Sequence, residues 1–383
     1  MRSVSIIGIG MTNFGRLEKS FKEIGAEACV GAMEDAQVSP KQIEEFVLGN
    51  FSSGTLVQQE TIAPIISNCV GLPRIPATKV EGACASGGMA LRYGYQMVAG
   101  GLRDLVLVAG LEKMTSVSTL KATETLIEAE DMEIEGRTGL TFPGFFALVT
   151  NRYSQRFGTT REEIAQVSVK NRRYGAKNPK AQFRKEIAID DVINSRLIAD
   201  PLRLLDCCAI SDGAAAAVLC PTEIVHKFSK EPIEIIGISQ VTGRGAAFEY
   251  EDLIGFESTK LAAEEALRLA RVTTKDIDIL ELHDCFTIAE NVASEDLGFF
   301  KKGTGAKALK EGQTEIGGKI PINPSGGLLS KQHPIGATGI GQVYEVVRQL
   351  GGAAENQVSD AEIGMAHNFG ATGTVCVVSV LKR

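Results

Sequence analysis

The chain has 383 residues, 44% of them hydrophobic, with 41 Gly, 12 Pro and no Trp, a size that suits two or three domain-sized units or one large duplicated one. A net charge of −7, a pI of about 5.4 and the lack of any Lys/Arg stripe argue against nucleic acid as a partner. No apolar run approaches the ~20 residues of a membrane span, and "MRSVSIIGIGMTNFG" is too short and Gly-broken for a signal peptide, so a cytoplasmic α/β enzyme is expected.

The predicted elements begin with a strand in "SVSIIGIG", a polar loop, and a helix from about Phe21 with small residues at Ala26, Ala32 and Ala36. The loop "QVSPKQ" and the strand "IEEFVLGNF" follow. Later the chain repeats this order: strand "PIEIIGIS", a helix through Ala266 and Ala270, loop "RVTTKD", and strand "IDILELHDCF". Ala32, Ala36, Val38, Lys41 and Ile43 match Ala266, Ala270, Val272, Lys275 and Ile277 at a constant offset of 234 residues. A constant offset over a helix–loop–strand unit points to internal duplication.

The next part of each half corresponds too. "CASGGMALRYGYQMVAGG" and "HPIGATGIGQVYEVVRQLGG" each run from a Gly-rich turn into an amphipathic helix and end in Gly-Gly. Strand "DLVLVAG" follows the first. Each half therefore reads strand–helix–strand–helix–strand, with right-handed crossovers placing helices on both sheet faces. The expected division is an N-terminal half, 1–115, rejoined by about 205–230 through "SDGAAAAVLC", an inserted cap at 116–204, and a C-terminal half, 231–383.

Eight cysteines are present, none in CxxC spacing, and Cys207–Cys208 are adjacent. That pattern suits neither zinc nor an easy disulfide, so no metal site is expected; no bound cofactor is expected either. Most of the thiols read as small buried hydrophobes.

Three motifs carry chemistry. In "EGACASGGMA", Cys84 lies in a turn of small residues directly before a helix. The free N–H groups and partial positive charge of a helix N-terminus favour thiolate and can bind an oxyanion. In "NPSGGLLSKQHPIGATG", His333 falls one or two residues from the position matching Cys84, so the two turns should face each other across a pseudo-twofold axis. Ser325 and Gly326 in this motif are substrate-binding candidates. The third, "LELHDCFTIAE", sets His283, Asp284 and Cys285 side by side at the mouth of a strand. A fourth Gly-rich loop, "MAHNFGATGT", holds His367. Of the four histidines only His226 reads as an ordinary surface residue.

Together "CASGG", "HDCF", "SGGxxxxxHPxGATG" and "HNFGATG" resemble the thiolase superfamily. The likeness is to the sterol-carrier-protein-type and archaeal-type acetoacetyl-CoA branch with a His-Asp-Cys-Phe loop. It spans essentially the whole chain. It implies a layered αβαβα fold from two βαβαβ halves, at least a homodimer or a dimer of dimers, and coenzyme A esters as substrates. It further implies Cys84 as nucleophile with His333 as its base, and Cys285 as the acid/base at the α carbon of acetyl-CoA. More familiar thiolases carry that second thiol in a C-terminal Cys-x-Gly motif. The matching place here is Asn368–Phe369–Gly370, with no Cys, and Cys376 reads as strand core. His283 stands where other thiolases use Asn, helping His333 with the enolate oxygen, and the N–H groups of Cys84 and Gly370 would form the acyl oxyanion hole. Asp284 is expected to point away and hold the loop.

Gln332 occupies a place where the family usually has Gly, so its side chain must leave the loop or narrow the pocket. Arg172, Arg173 and Lys177 in the basic part of the cap are candidates for the coenzyme A phosphates, against a solvated helix face. A separate zinc-ribbon/OB-fold partner subunit is possible within this branch. Competing readings are another condensing enzyme of the fold, a ketoacyl synthase or hydroxymethylglutaryl-CoA synthase, and a non-enzymatic acyl-CoA or lipid scaffold. Cys285 separates the thiolase from the synthases, and intact Cys84, His283, Cys285 and His333 argue against the scaffold.

Overall fold

The structure, a computed structural model, describes residues 1–228 and 232–383. Its strands in chain order are β1 (Val4–Met11), β2 (Glu45–Gly49), β3 (Ala77–Val80), β4 (Val106–Lys113), β5 (Leu197–Ala199), β6 (Leu202–Arg203), β7 (Asp212–Pro221), β8 (Ile233–Thr242), β9 (Ile279–Glu281), β10 (Ile363–Gly370) and β11 (Val375–Lys382). Nine of them form one mixed sheet, ordered β3-β2-β4-β7-β1-β8-β11-β10-β9, and β5 and β6 form a small hairpin. The halves join where β1 meets β8 antiparallel over only Ser5–Glu234 and Ile6–Ile233.

Period-2 burial on both faces sets the layers. In the N-terminal half Val106 and Val108 face one core, while Leu107 and Ala109 face another. The first core is shared. It holds Leu91 and Val98 of the helix Ser86–Ala99, Ile340 and Val346 of the helix Thr338–Leu350, and strand residues of both halves such as Ile235 and Val377. The outer faces are covered by the helix Phe21–Asp35 on one side and Glu257–Ala270 on the other. The sequence of layers is therefore helix, strands, a central helix pair, strands, helix.

The duplication is visible in detail. The short 3-10 turns Pro40–Gln42 and Thr274–Asp276, and the first residues of β2 and β9, keep the 234-residue spacing. Each central helix is entered through a 3-10 turn, Ala83–Ala85 or Ile335–Ala337. The second half has lost most of its outermost strand; what corresponds to β3 is one parallel bridge, Leu280–Ile322. β7 lies between β4 and β1.

One expected element is shorter than its sequence suggests. The apolar run "IDILELHDCF" gives a strand of only three residues, β9. Beyond Glu281 the backbone donors go to side chains: Leu282 N–H to Asn323 Oδ1 at 2.9 Å and His283 N–H to His367 Nδ1 at 3.3 Å. The chain thus leaves the sheet just before His283.

The segment between the halves forms the helices Phe142–Phe157 and Arg161–Gly175 and the β5–β6 hairpin. Phe145, Phe146, Val149 and Leu202 pack into one core with Cys285, Phe286 and Phe369, and Phe286 stacks on Phe146 at 4.6 Å. The cap therefore rests on the loops that carry Cys285 and the residues after His367.

Candidate active site

The two central helices begin next to each other. A Cβ added at Gly87 would lie 2.8 Å from the Gly336 carbonyl, and one at Gly339 would lie 2.2 Å from the Gly88 nitrogen. Only glycine permits this approach. The turns ahead of both helices thus converge, and they carry Cys84 and His333. Ala83 holds a left-handed φ of +49°, a conformation that costs a non-glycine residue on the order of 1 kcal/mol or more; it turns the chain just before the cysteine.

Three of the chemistry-bearing side chains meet there. Cys84 Sγ and one ring nitrogen each of His283 and His333 all lie within 4.8 Å of one another. The two rings are edge to face at 4.7 Å. Cys84 is half-buried, and His283, Cys285 and His333 are buried. A Cys-His-His set is also one that a thiophilic cation can use, although ligand atoms around tetrahedral zinc sit closer, about 3.3–3.8 Å apart from bond lengths of ~2.0–2.3 Å.

Burial governs the protonation states. It pushes the Cys84 thiol up to about 12, outweighing the opposing effect of the Ala371 N–H and the cysteine's own N–H. It pulls His333 down to about 3. His283 is held well below 6.5 by burial and then by its neighbours His333 and His367. The helix N-terminus therefore does not produce a resting thiolate; Cys84 and His333 rest as a neutral pair. Burial, then the thiols of Cys208 and Cys84, raise Cys285 well above 9.

Each site loop is braced by a residue from elsewhere. Asn368 Nδ2 donates to the Cys84 carbonyl at 2.8 Å, and its Oδ1 accepts from Gly88 N–H at 3.0 Å. Gly370 is pressed between Gly82 and Ala85, where a Cβ would fall 2.6 Å from the Gly82 carbonyl oxygen. His333 N–H donates to Ser211 Oγ at 3.1 Å, and its Nδ1 lies 2.6 Å from Thr338 Oγ1. Gly336 N–H donates to buried Glu112, which also accepts from Asn50, Phe51 and Ser52.

Asp284 turns away from the cluster. Its carboxylate accepts from Leu328 N–H at 2.7 Å, Leu329 N–H at 3.3 Å and Asn171 Nδ2 at 2.7 Å. Burial and then Glu290 raise it to about 7. His367 supports the loop from behind, accepting the His283 N–H on Nδ1 while Nε2 reaches Thr259 Oγ1 at 3.2 Å. Cys376 is fully buried in the outer core of β11.

Other candidates lie outside the cluster. Ser325 donates to Glu281 at 2.7 Å within a buried group that includes Lys331 and Glu345. Gly326, at φ +96°, packs against the end of the Arg161–Gly175 helix, 2.6 Å from Gly175 Cα for an added Cβ. Arg172 is buried with its guanidinium 4.0 Å over the Phe183 ring, and burial lowers it to about 10. Arg173 pairs with Glu315 and lines a surface groove with Glu162, Glu163 and Lys310. Arg173 is thus ion-paired, whereas Arg172 Nε is buried without a hydrogen-bond partner.

Gln332 sends its side chain out of the loop toward the segment at Ala209. It keeps a glycine-like φ of +92°, yet its side chain is fully buried. It accepts from the Ala209 N–H and donates to the Leu329 carbonyl at 3.3 Å. The strip it fastens also carries Cys208, whose N–H donates to the Cys285 carbonyl at 3.0 Å. Cys207 bridges Phe286 antiparallel, so Cys208 stands opposite Cys285. In the sequence Cys208 reads as one of the small buried thiols. Its only signal was adjacency to Cys207.

Residues 4–223 match the family model described as "Thiolase, N-terminal domain", and residues 239–383 match "Thiolase C-terminal domain-like". The chain belongs to the thiolase family. It is an acyltransferase of that family, and neither a decarboxylating synthase nor a binding scaffold is favoured by its relatives. It is 46% identical over 385 residues, all of both chains, to an acetyl-CoA acetyltransferase of Methanothermobacter thermautotrophicus. It is 38% identical to the benzoylsuccinyl-CoA thiolase subunit BbsB of Thauera aromatica, covering 91% of this chain and 89% of that one. Among solved structures, the one titled Ltp2-ChsH2(DUF35) aldolase matches with a TM-score of 0.85 and 26% identity, over 99% of this thiolase and 97% of that chain. A neighbour titled an aldolase means that the fold alone does not set the reaction, so the side chains at the helix starts must.

Proposed function

We propose that this thiolase catalyses the reversible condensation of acetyl-CoA with an acyl-CoA to a 3-oxoacyl-CoA, with acetoacetyl-CoA the first candidate. The observation that carries the reading is the meeting of Cys84, His283 and His333 within 4.8 Å, with Cys285 two residues beyond His283. In thiolysis, His333 takes the thiol proton of Cys84 as sulfur attacks the 3-oxo carbon. The N–H groups of Cys84 and Gly370 donate to the oxyanion. The C2–C3 bond breaks, its electron pair forms the acetyl-CoA enolate, and His283 and His333 stabilise the enolate oxygen. Cys285 gives its proton to the α carbon. Coenzyme A thiol then gives its proton to the Cys285 thiolate and attacks the acyl carbon, and the departing Cys84 sulfur takes its proton back from His333. A thiol kept protonated by burial is the form needed to protonate an enolate, and its conjugate base is strong enough for the reverse step.

Eight cysteines without a disulfide suit a reducing compartment, and the cytoplasm is the one we propose. No helix among the described residues is long and apolar enough to cross a membrane. At least a homodimer is proposed from the family; a monomeric mass at micromolar concentration would count against it. The relative named as a subunit and the neighbour titled with a DUF35 component support a separate zinc-ribbon/OB-fold partner. The deciding experiment is thiolysis of a panel of 3-oxoacyl-CoA esters with and without candidate partners. Turnover of acetoacetyl-CoA by the wild type, and its loss with the acyl adduct in Cys84→Ala, is expected. Inactivity on every ester, or an adduct on another residue, would overturn the reading.

A further inference from the structure

A base that removes the Cys84 proton must present an unprotonated ring nitrogen, and an imidazole has two tautomers. His333 Nδ1 lies 2.6 Å from Thr338 Oγ1, which leaves Nε2 as the nitrogen free for the thiol. The hydroxyl of Thr338 has one proton. Its oxygen also lies 3.0 Å from the Pro334 carbonyl, one turn back along the chain. A carbonyl only accepts, so that contact uses the hydroxyl proton. With the hydroxyl proton directed at the Pro334 carbonyl, which also accepts the Ala337 and Thr338 N–H groups, Thr338 Oγ1 meets His333 as an acceptor and Nδ1 carries the ring hydrogen. The other tautomer would send the hydroxyl proton to Nδ1 and leave two oxygen lone pairs facing each other at 3.0 Å. It would also place an N–H, not a lone pair, toward Cys84.

We propose that Thr338 is a positioning residue for thiol activation: by donating to the Pro334 carbonyl, its hydroxyl holds His333 in the tautomer with hydrogen on Nδ1 and a free lone pair on Nε2. The inference rests on His333 being the base for Cys84. The same arrangement serves the next state. When Nε2 takes the thiol proton, Nδ1–H still donates to Thr338 Oγ1, now as a charge-assisted bond. No group rotates between the two states. Thr338 is the first residue of its helix and is buried, so water cannot readily take over the hydroxyl's place.

Two measurements test this. Long-range 1H–15N spectra of the wild type, labelled at histidine, report the tautomer directly, with His333→Asn assigning the signals. A pyrrole-type Nδ1 and a pyridine-type Nε2 are expected; the reverse pattern would overturn the proposal without any change to Thr338. The second is the rate of Cys84 alkylation by iodoacetamide at pH 7 in Thr338→Val, Thr338→Ser and His333→Asn. Val keeps the shape and removes the hydroxyl. Alkylation should fall at least ~10-fold in Thr338→Val and His333→Asn, and Thr338→Ser should restore it to within a few-fold of wild type. A slow His333→Asn beside a wild-type Thr338→Val would reject Thr338 alone. Wild-type alkylation in His333→Asn would reject the base assignment beneath it.

Discussion

His283 and His333 meet edge to face, with ring planes at 90° and centroids 4.7 Å apart. One ring follows the end of β9 and the other precedes a central helix, so the C-terminal half supplies both rings by different routes, opposite the Cys84 of the N-terminal half. Both rings are buried and neutral, and His333 further lowers His283.

That burial predicts the acid side of the activity profile. A histidine whose folded pKa is lowered from 6.5 to about 3 stays an unprotonated base as pH falls through 6.5. Asp284, raised to about 7, faces the Leu328 and Leu329 N–H groups rather than the imidazole. The rate of Cys84 acylation at saturating acyl-CoA, followed from pH 8 to 5, should therefore show no one-proton fall centred near 6.5. Glu112, raised to about 7 beneath the His333 turn, is removed as a source by Glu112→Gln, and a fall that persists there would mean that His333 titrates as in water.

Asn368 is predicted to matter without touching the reacting atoms. Asn368→Ala removes the donor to the Cys84 carbonyl and the acceptor for Gly88 N–H. An unsatisfied buried polar group costs ~1–3 kcal/mol, so chemical denaturation should show a loss of that order. The Cys84 turn should also loosen, and acylation should slow. A variant with wild-type stability and acylation would show that the brace is dispensable.

Gly370→Ala adds a Cβ that would sit 2.6 Å from both the Gly82 carbonyl oxygen and Val375 Cγ1. Backbone cannot yield cheaply there, so the loop must lift from the Cys84 turn. If the Gly370 N–H belongs to the oxyanion hole, kcat should fall ~10²–10³-fold, read by rapid-quench formation of the acyl-enzyme. Acylation within a few-fold of wild type would remove Gly370 from that role.

The sequence made the repeated architecture readable because it is local and periodic. The 234-residue offset survives as matching 3-10 turns and strand starts. Cys84, His283 and His333 were legible because each lies in a small-residue or Gly-rich turn after an apolar run. What closes the site was not legible. The Asn368–Cys84 contact spans 284 positions, and no period encodes it. Arg172 read as a surface cation, but its helix buries that face against Phe183. Gln332 looked like a departure from glycine, and only the fold shows its amide tying the Ala209 strip to the turn before His333. The strand ahead of His283 ended early because side-chain acceptors replaced sheet partners, which apolar patterning cannot foretell.

The central claim is a division of labour between two thiols, and isotope exchange in Cys285→Ala tests it most directly. That variant should still be acylated at Cys84 by an acyl-CoA donor, since nucleophile and base are intact. It should exchange the α protons of acetyl-CoA with deuterated solvent ~10²–10⁴-fold more slowly than wild type, the usual effect of removing one acid/base group. Cys376→Ala, altered in the outer core, should exchange nearly as wild type. Undiminished α-proton exchange in Cys285→Ala, or its loss in Cys376→Ala, would contradict the account.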